Sequence, residues 1–345
     1  MNIGIIGASG YTGAELLRIL ARHPEAEPAY MTAHTYEGKT VGELYPHLSS
    51  YASAVYAGFD ADAAAAAASL HFIALPHGES MQVVPQLLER GCKVIDLSAD
   101  YRLGSPATYE QWYGLEHGSP ELMARAAYGL PELFRDGIAS SDLIAVPGCY
   151  PTAVMMALGP LLALGLVEKN GLIADAKSGV SGAGRGLSLA THFAQCNENI
   201  SPYGIGTHRH LPEMQLYLSR LAGSEVSLVF TPHLVPMNRG ILATCYARLT
   251  RPLSTAELLQ GVTDFFSGSS FVRVLPPGQL PQTKALAGSN SCQLSYVASP
   301  GNNTVVALSA IDNLVKGASG AAVQCMNIVS GFPEDAGLEK QGMFP

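Results

Sequence analysis

The chain begins with a strand, a glycine-rich turn and a helix, and this order constrains its fold more than any other stretch. Residues 2–6 are short and apolar, as in a buried strand. Gly7, Gly10 and Gly13 follow in the spacing G-x-x-G-x-x-G, and a helix is predicted over residues 14–22. The first glycine permits the tight bend, the second lets a pyrophosphate approach the backbone, and the third lets helix and strand pack closely. The pattern predicts half of a dinucleotide-binding unit; a purely structural glycine turn is the alternative.

Strands and helices alternate through the first half of the chain. Beyond the glycine turn, strands are predicted at about 29–32, 71–75, 93–97 and 143–146, with helices at 60–68 and 80–90. Alternation of this kind predicts a parallel, doubly wound sheet of Rossmann type, with ligands at the carboxyl ends of its strands. Ser9, Tyr11 and Thr12 in the glycine turn, and Pro76 after a strand, are therefore candidate cofactor contacts. His77 lies at the same strand end, where an ordinary loop histidine is the favoured interpretation.

The end of the second predicted strand favours NADP(H) over NAD(H). Folds that bind NAD usually place Asp or Glu there to hold the ribose hydroxyls. This chain has Thr32-Ala33-His34-Thr35, with Lys39 nearby and only Glu37 in the loop. Hydroxyls plus a cation suit a 2′-phosphate better, so Thr35 and Lys39 are predicted cofactor contacts.

A cysteine lies where a strand is followed by a helix. The predicted strand at 143–146 ends at Pro147-Gly148, and a helix is predicted over 152–164 with Pro151 in its first turn. At a helix N-terminus, unpaired backbone N–H groups and the helix dipole favour thiolate over thiol. We predict that Cys149 is a nucleophile; a small buried cysteine in a tight turn is the alternative.

The second half of the chain has longer strands and fewer helices. Strands are predicted at 173–177, 226–233, 241–249, 291–298 and 304–311, with helices at 214–221 and near 255–266. Strands gathered in this way predict an α+β domain with a mixed or antiparallel sheet, suited to catalysis and oligomerisation.

Composition limits the partners. A net charge of −8 argues against nucleic acid, and 14% charged residues is low enough to suggest that subunit contacts cover some surface. The most apolar stretch, 153–167, is short and interrupted by Gly and Pro, so no membrane span is expected. No basic segment precedes the first strand, and the six cysteines form no C-x-x-C pair. We expect a cytoplasmic protein with no signal peptide and no structural metal.

A nucleophile that follows a dinucleotide domain indicates a dehydrogenase that works through a thioester. An acyl phosphate can transfer its acyl group to sulfur, and the thioester can then accept hydride and collapse to an aldehyde. The cluster His208-Arg209-His210 can supply the acid/base group, since imidazole titrates near neutrality. Zinc ligation by the two histidines is the weaker rival. Glu213 either orients a histidine or stabilises the first turn of its helix.

Cations and a second glycine-rich loop can anchor the anionic parts of substrate and cofactor. Arg185, Arg209 and Arg239 are the candidate substrate-binding cations. The loop over 178–186 can present backbone N–H groups to a phosphate. Within it, Ser178 is a candidate substrate contact, and Ser181 and Gly182 are candidate cofactor contacts.

Five motifs, in this order along the whole chain, resemble the N-acetyl-gamma-glutamyl-phosphate reductase family. They are Gly7-Ala8-Ser9-Gly10-Tyr11-Thr12-Gly13, Pro147-Gly148-Cys149-Tyr150-Pro151-Thr152, Lys177-Ser178-Gly179-Val180-Ser181-Gly182-Ala183-Gly184-Arg185, His208-Arg209-His210-Leu211-Pro212-Glu213 and Asn313-Leu314-Val315-Lys316-Gly317-Ala318. The His-Arg-His stretch separates this resemblance from the aspartate-semialdehyde dehydrogenases, which share the architecture and the thioester chemistry.

The resemblance implies reduction of N-acetyl-glutamyl 5-phosphate to the 5-semialdehyde with NADPH, releasing phosphate, by a cytoplasmic homodimer or homotetramer in arginine biosynthesis. It implies Cys149 as nucleophile and His208 as acid/base, with His210 as the substitute candidate. It also implies that the final helix rejoins the nucleotide domain and brings Asn313 near the nicotinamide, giving domains of 1–148 with 313–345 and of 149–312. The family often carries a Ser-Arg pair where this chain has Ala33-His34, which leaves open which side chains hold the 2′-phosphate.

Two other functions fit parts of the pattern. A hydrolase or acyltransferase could use Cys149 and His208 with no nucleotide, and an NADP-binding sensor would need no nucleophile.

Overall fold

The computed structural model describes residues 1–344 and divides into two compact units. The first unit contains Met1–Pro147 and Ala318–Leu338, and the second contains Gly148–Gly317 and the segment from Glu339 onward. The predicted domain bounds assign Gly148 and residues 313–317 and 339–344 to the nucleotide domain, whereas these residues cluster with the second unit.

The first unit is built on a six-stranded parallel sheet, which confirms the predicted Rossmann-type architecture. The strands are β1 (Asn2–Ile6), β2 (Glu27–Met31), β3 (Leu70–Ile73), β4 (Lys93–Asp96), β5 (Ala127–Tyr128) and β6 (Leu143–Ala145), in the order β2-β1-β3-β4-β6-β5. All pairings are parallel, and β3 is buried along its whole length, as expected for a sheet covered on both faces. The strand order reverses between β1 and β3, which is where open α/β sheets bind ligands.

The helices of the first unit include a long one supplied by the end of the chain. They are Tyr11–Leu20, Val41–Leu44, Ala61–Ala67, Ser80–Glu89, Pro106–Tyr113, Pro120–Arg125, Pro131–Phe134 and Gly320–Ser330. The last helix is buried at nearly every residue, and its Asn327 Oδ1 lies 2.8 Å from His23 Nε2. The first helix was predicted over 14–22 but begins at Tyr11, because the glycine turn itself ends at Gly10.

The second unit is built on a mixed seven-stranded sheet, as predicted. Its strands are β7 (Leu172–Ser178), β8 (Ser201–Pro202), β9 (Leu228–Leu234), β10 (Ile241–Arg248), β11 (Val272–Val274), β12 (Cys292–Ser299) and β13 (Thr304–Ile311), in the order β11-β12-β13-β10-β7-β9-β8. The pairs β7–β9 and β11–β12 are parallel, and the others are antiparallel. The sequence did not predict β5, β8 and β11, since two or three residues are too few to show a period.

One face of this sheet is covered by helices and the other exposes apolar side chains. The helices of the unit are Cys149–Ala163, Phe193–Cys196, Leu211–Ala222 and Thr255–Phe265. The first of these packs on β10, β12 and β13, and the last packs on β12. On the opposite face, cross-strand pairing aligns five apolar side chains in one row, which we call the apolar row: Val229, Ile173, Tyr246, Val306 and Val297.

Three strands end or begin in register at one end of the sheet. Ile241, the first residue of β10, pairs with Ser178 at the end of β7 and with Ile311 at the end of β13. The loops that follow Ser178 and Ile311 and the loop that precedes Ile241 therefore meet at this end. Over residues 1–344, no helix has both the length and the apolar character needed to cross a membrane.

Candidate active site

The cysteine predicted to be the nucleophile is the first residue of a helix. The helix runs over Cys149–Ala163 with Gly148 as its N-cap, and Cys149 is half-buried. The predicted start at Thr152 is wrong by three residues. Pro151 lies in the first turn, where its missing N–H costs no intrahelical bond, so the helix can begin before it. The sulfur thus lies at the positive end of a helix of 15 residues, where anionic sulfur is favoured.

Glu213 and His210 both contact the residue before the nucleophile. The Gly148 N–H donates to Glu213 Oε1 at 2.9 Å, and Glu213 is buried. The His210 ring lies against the Gly148 backbone so closely that a methyl group added at Gly148 would be 2.4 Å from His210 Nε2. Only glycine fits here. The first turn of the helix Leu211–Ala222 is therefore joined to the start of the nucleophile helix, a role for Glu213 that differs from both alternatives left open by the sequence.

His208 is held neutral in an aromatic enclosure. Its ring lies within 5.5 Å, centroid to centroid, of Tyr150, Tyr203, Phe230 and His210. Burial, with a smaller contribution from the Arg209 charge, lowers the pKa of His208 to about 4. The backbone N–H of His210 donates to His208 Nδ1 at 3.1 Å. Because Nδ1 accepts this bond, the neutral ring carries its proton on Nε2. At neutral pH this imidazole is therefore a hydrogen-bond donor through Nε2.

Two tyrosines that the sequence analysis did not select adjoin this cluster. Tyr203 Oη donates to Tyr150 Oη at 3.0 Å, and Tyr150 Oη donates to the His233 carbonyl at 3.2 Å. Burial raises the pKa of Tyr203 to about 12 and also raises the pKa of Tyr150, and the Cys149 charge contributes to both shifts. Both hydroxyls therefore lie near the sulfur and stay protonated. For Tyr150, the sequence contained one signal, its position directly after Cys149.

The glycine-rich loop after β7 is tied to Asn313. Asn313 Nδ2 donates to Ser181 Oγ at 3.0 Å, and its Oδ1 accepts from the Gly240 N–H at 2.7 Å. A methyl group at Gly182 would lie 3.3 Å from Ser178 Oγ. Four residues predicted from two separate motifs, Ser178, Ser181 and Gly182 from one and Asn313 from the other, therefore come together at the end of the sheet.

The three candidate arginines differ in their surroundings. Arg239, just before β10, is 32% exposed and its Nη1 lies 3.4 Å from Asp312 Oδ2. Arg185 is half-buried, and Arg209 is exposed beside His208. Arg239 is thus the candidate with a buried carboxylate behind it.

In the first unit, the glycine turn has the geometry that dinucleotide binding needs. Gly7 has φ +88°, and a methyl group there would lie 2.6 Å from the Ala74 carbonyl oxygen. A methyl group at Gly13 would lie 2.5 Å from Ala8 Cα. At Gly10 the nearest atom would be 3.8 Å away, so this glycine leaves open space at the helix N-terminus. A pyrophosphate fits such a cradle.

The other predicted cofactor contacts lie around this turn. The Ser9 carbonyl accepts from Tyr45 Oη at 2.8 Å, and the Thr12 carbonyl accepts from Ser319 Oγ at 2.9 Å. Tyr11 is 39% exposed. Pro76 is exposed after β3, the neighbour of β1, so it lies beside the reversal point of the strand order.

The predicted 2′-phosphate contacts are on the surface. Thr35 and Lys39 are exposed in the loop after β2, and Lys39 Nζ lies 3.6 Å from Glu43 Oε1. Thr32 faces inward instead, and its Oγ1 accepts from the Gly7 N–H at 3.2 Å. Among the residues that the structure describes, no group of three His, Cys, Asp or Glu side chains is arranged to hold a metal ion.

Two protein-family models match the chain and divide it as the fold does. Residues 2–141 match the semialdehyde dehydrogenase NAD binding domain, and residues 149–313 match the semialdehyde dehydrogenase dimerisation domain.

Solved structures of aspartate semialdehyde dehydrogenases share this fold. Aspartate semialdehyde dehydrogenase II from Vibrio cholerae, complexed with ASA, matches with a TM-score of 0.73 at 17% identity, covering 96% of this chain and 98% of that one. The enzyme from Candida albicans, solved with NADP, matches with a TM-score of 0.69 at 15% identity, covering 95% and 98%. At such identities the likeness extends to the fold alone.

Curated relatives are much closer in sequence. The N-acetyl-gamma-glutamyl-phosphate reductase of Moorella thermoacetica is 51% identical, and that of Desulforudis audaxviator is 50% identical, each over 345 residues and the full length of both chains. Because half of the residues are identical from end to end, the chain belongs to the N-acetyl-gamma-glutamyl-phosphate reductase family of the semialdehyde dehydrogenases.

Proposed function

We infer that this protein catalyses the NADPH-dependent reduction of N-acetyl-glutamyl 5-phosphate to N-acetyl-glutamate 5-semialdehyde, with release of phosphate, in arginine biosynthesis. The observation that carries this inference is identity of about half with named reductases over the full chain. A cysteine at a helix start supplies the nucleophile that such a reaction needs, and a neutral histidine that packs on the next residue, Tyr150, supplies a hydrogen-bond donor.

Cys149 acts as the nucleophile. Its sulfur attacks the acyl carbon of the phosphorylated substrate, the bond from that carbon to the phosphate oxygen breaks, and a thioester forms. Bound NADPH supplies the hydride that reduces this thioester. The carbonyl oxygen becomes anionic in that step, and collapse of the adduct expels the thiolate and leaves the aldehyde.

His208 stabilises the oxyanion. Its Nε2–H, fixed by the hydrogen bond from the backbone N–H of His210 to Nδ1, donates a hydrogen bond to the oxygen as negative charge develops there. The ring keeps its proton throughout, because a neutral imidazole is too weak an acid to lose it. His210 is the substitute candidate, because it lies against the residue before the nucleophile. Glu213 holds the backbone that carries Cys149.

Arginines and the glycine-rich loop bind the substrate anions. Arg239, Arg185 and Arg209 are the candidate cations, of which Arg209 acts electrostatically on His208, and Ser178 lies at the end of β7. The acyl phosphate and the substrate carboxylate are the two groups that need such partners.

The cofactor is NADP(H). The turn at Gly7, Gly10 and Gly13 receives the pyrophosphate, and Thr35 with Lys39 is the candidate contact for the 2′-phosphate. Lys39 already faces Glu43, so a titration that compares NADPH with NADH, in the native protein and in Lys39→Ala, tests this assignment. Equal affinity for both cofactors would contradict it.

The protein forms a homo-oligomer through the second unit. The apolar row leaves Ile173 and Val229 at 42% and 57% exposure on an otherwise ordered sheet face. A second copy that packs its own face against this one would bury both rows, giving a dimer on which a tetramer can be built.

The assay runs the reaction backwards. Mixing the protein with NADP, phosphate and N-acetylglutamate semialdehyde should produce absorbance at the NADPH band. A signal only with aspartate semialdehyde or an aminoadipate analogue would reassign the substrate. Turnover of an acyl substrate with no nucleotide would favour a hydrolase, and nucleotide binding without any turnover would favour a sensor.

Replacing the nucleophile tests the thioester route. Cys149→Ser should lower kcat by at least about a thousandfold, because a hydroxyl lacks the nucleophilicity of a thiolate, while NADPH affinity stays unchanged. Cys196→Ser is the matched control, since Cys196 is a half-buried thiol in the short helix Phe193–Cys196. Near-full activity of Cys149→Ser would exclude the thioester mechanism.

A further inference from the structure

Asp312 is a fully buried carboxylate at the end of the sheet where the candidate site lies. It follows β13 directly and has 0% exposure. Buried carboxylates persist only where donors surround them. Asp312 has four: the N–H groups of Leu314, Val315 and Gly288 at 2.8, 3.1 and 2.7 Å, and Arg239 Nη1 at 3.4 Å.

Its two oxygens serve different parts of the site. Oδ1 receives the two N–H groups at the start of the turn that follows Asp312. Oδ2 receives Gly288 and the Arg239 guanidinium. The carboxylate therefore fixes Arg239 relative to the turn, with one guanidinium nitrogen directed at Asp312 and the group still one-third exposed.

The same turn extends to the nucleophile. The Gly317 N–H donates to the Asp312 carbonyl at 3.0 Å, which closes the turn. A methyl group at Gly317 would lie 2.9 Å from Cys149 Cβ, so the backbone at Gly317 packs directly on the nucleophile. Asp312 thus connects two parts of the site, the turn that packs on Cys149 through Gly317 and the side chain of Arg239.

We propose that Asp312 is a positioning residue that holds Arg239 at a fixed place relative to Cys149, so that the guanidinium binds an anionic group of the substrate. The proposal rests on the reductase function inferred above. Removing a charged hydrogen bond that pre-orients an arginine should lower the affinity of the site for the substrate anion by about tenfold or more. The effect should therefore appear in KM for phosphate or semialdehyde, with little change in kcat.

A double-mutant cycle tests the proposal. Asp312→Asn and Arg239→Gln should each raise KM for phosphate or for the semialdehyde by about tenfold or more, leaving kcat within about threefold and NADP affinity unchanged. The double variant should be no worse than Arg239→Gln alone, because Asp312 acts through Arg239. Arg248→Gln with Glu168→Gln is the matched control, an exposed arginine–glutamate pair of the same unit at 3.7 Å, and it should leave KM unchanged.

Opposite results overturn the proposal. Asp312 would not act through Arg239 if the double variant raised KM by the product of the two single effects, or if Asp312→Asn left KM unchanged. If Asp312→Asn does not fold, thermal unfolding of Arg239→Gln provides the test. Because this variant loses the partner of a buried carboxylate, its Tm should be lower than that of Arg248→Gln. Equal Tm values would contradict the proposal. If the native protein does not turn over the semialdehyde, the proposed function is wrong. The Tm comparison still tests the Asp312–Arg239 pair in that case.

Discussion

Single residues in this protein take their chemistry from neighbours that are distant in sequence. His208 would titrate near 6.5 in water, but the aromatic enclosure and Arg209 lower its pKa to about 4. An uncharged imidazole can donate a hydrogen bond to a developing oxyanion at neutral pH without adding a positive charge to the site. The enclosure therefore decides which protonation state of His208 the site uses.

Acid titration tests the state of His208. Between pH 6.5 and about 4 the unfolded chain binds a proton at this histidine and the folded protein does not. The free energy of unfolding should therefore fall as the pH is lowered through this window, by up to roughly 3 kcal/mol. His208→Asn, whose amide oxygen can still accept the His210 N–H, should lose less stability over the same window.

Urea unfolding at several pH values measures this difference at one protein concentration. His34→Asn, a change at an exposed histidine, is the control and should follow the native protein. Parallel curves for the native protein and His208→Asn would show that His208 is not held neutral.

At the scale of elements, two helix starts form the core of the candidate site. The nucleophile helix begins at Cys149, and the helix Leu211–Ala222 supplies Glu213 to the Gly148 N–H. The two helices also pack on each other. In the first unit, the glycine turn plays the matching part, because it leaves a helix N-terminus open at Gly10.

Glu213 variants separate a structural role from proton transfer. Glu213→Ala removes the acceptor of a buried N–H and should lower the free energy of unfolding by about 1–3 kcal/mol, with a loss of kcat. Glu213→Gln keeps an acceptor oxygen at the same position and should restore most of both quantities. Chemical unfolding and steady-state kinetics measure them, and a Gln variant as inactive as Ala would instead make Glu213 a proton carrier.

Two glycines of the same turn should respond differently to a methyl group. Gly10→Ala meets only open space and has φ −76°, so the Tm should stay nearly unchanged while NADPH affinity falls. Gly13→Ala forces a contact with the Ala8 backbone, so the Tm itself should fall. Thermal unfolding and a fluorescence titration distinguish the two, and a Gly10→Ala variant that binds NADPH normally would contradict the predicted cradle.

At the scale of the whole molecule, the second unit carries both the candidate catalytic residues and an uncovered sheet face. Residues 149–313 match a dimerisation domain model, and the face opposite the helices carries the apolar row. The low fraction of charged residues, 14%, fits a surface that a second copy covers.

A charge placed in the apolar row tests the oligomer. Ile173→Asp should convert the protein to a smaller species in sedimentation velocity, because burying a carboxylate between two sheets is unfavourable. Leu164→Asp is the matched control, with the same 42% exposure at the end of the nucleophile helix and away from this face. An unchanged sedimentation coefficient for Ile173→Asp would place the interface elsewhere.

Local patterns in the sequence were sufficient for the architecture and for the principal motifs. Gly7, Gly10 and Gly13 after an apolar strand indicated the turn, and alternating strands and helices indicated the parallel sheet, because both signals are carried by residues close together in the chain. Cys149 was found in the same way, from the strand and helix on either side of it. Element boundaries were less exact, as the start of the nucleophile helix illustrates.

Only the tertiary structure decided how the site is held together. The bonds from Gly148 to Glu213, from Tyr203 to Tyr150 and from Arg239 to Asp312 join residues that are 65, 53 and 73 positions apart. The neutral state of His208 likewise depends on rings contributed by other elements. No periodicity or motif encodes such contacts, because they arise when strand register and helix packing bring distant segments to one end of a sheet. The sequence by itself therefore determined which chemical groups the protein carries, and the packing determined their partners and their protonation states.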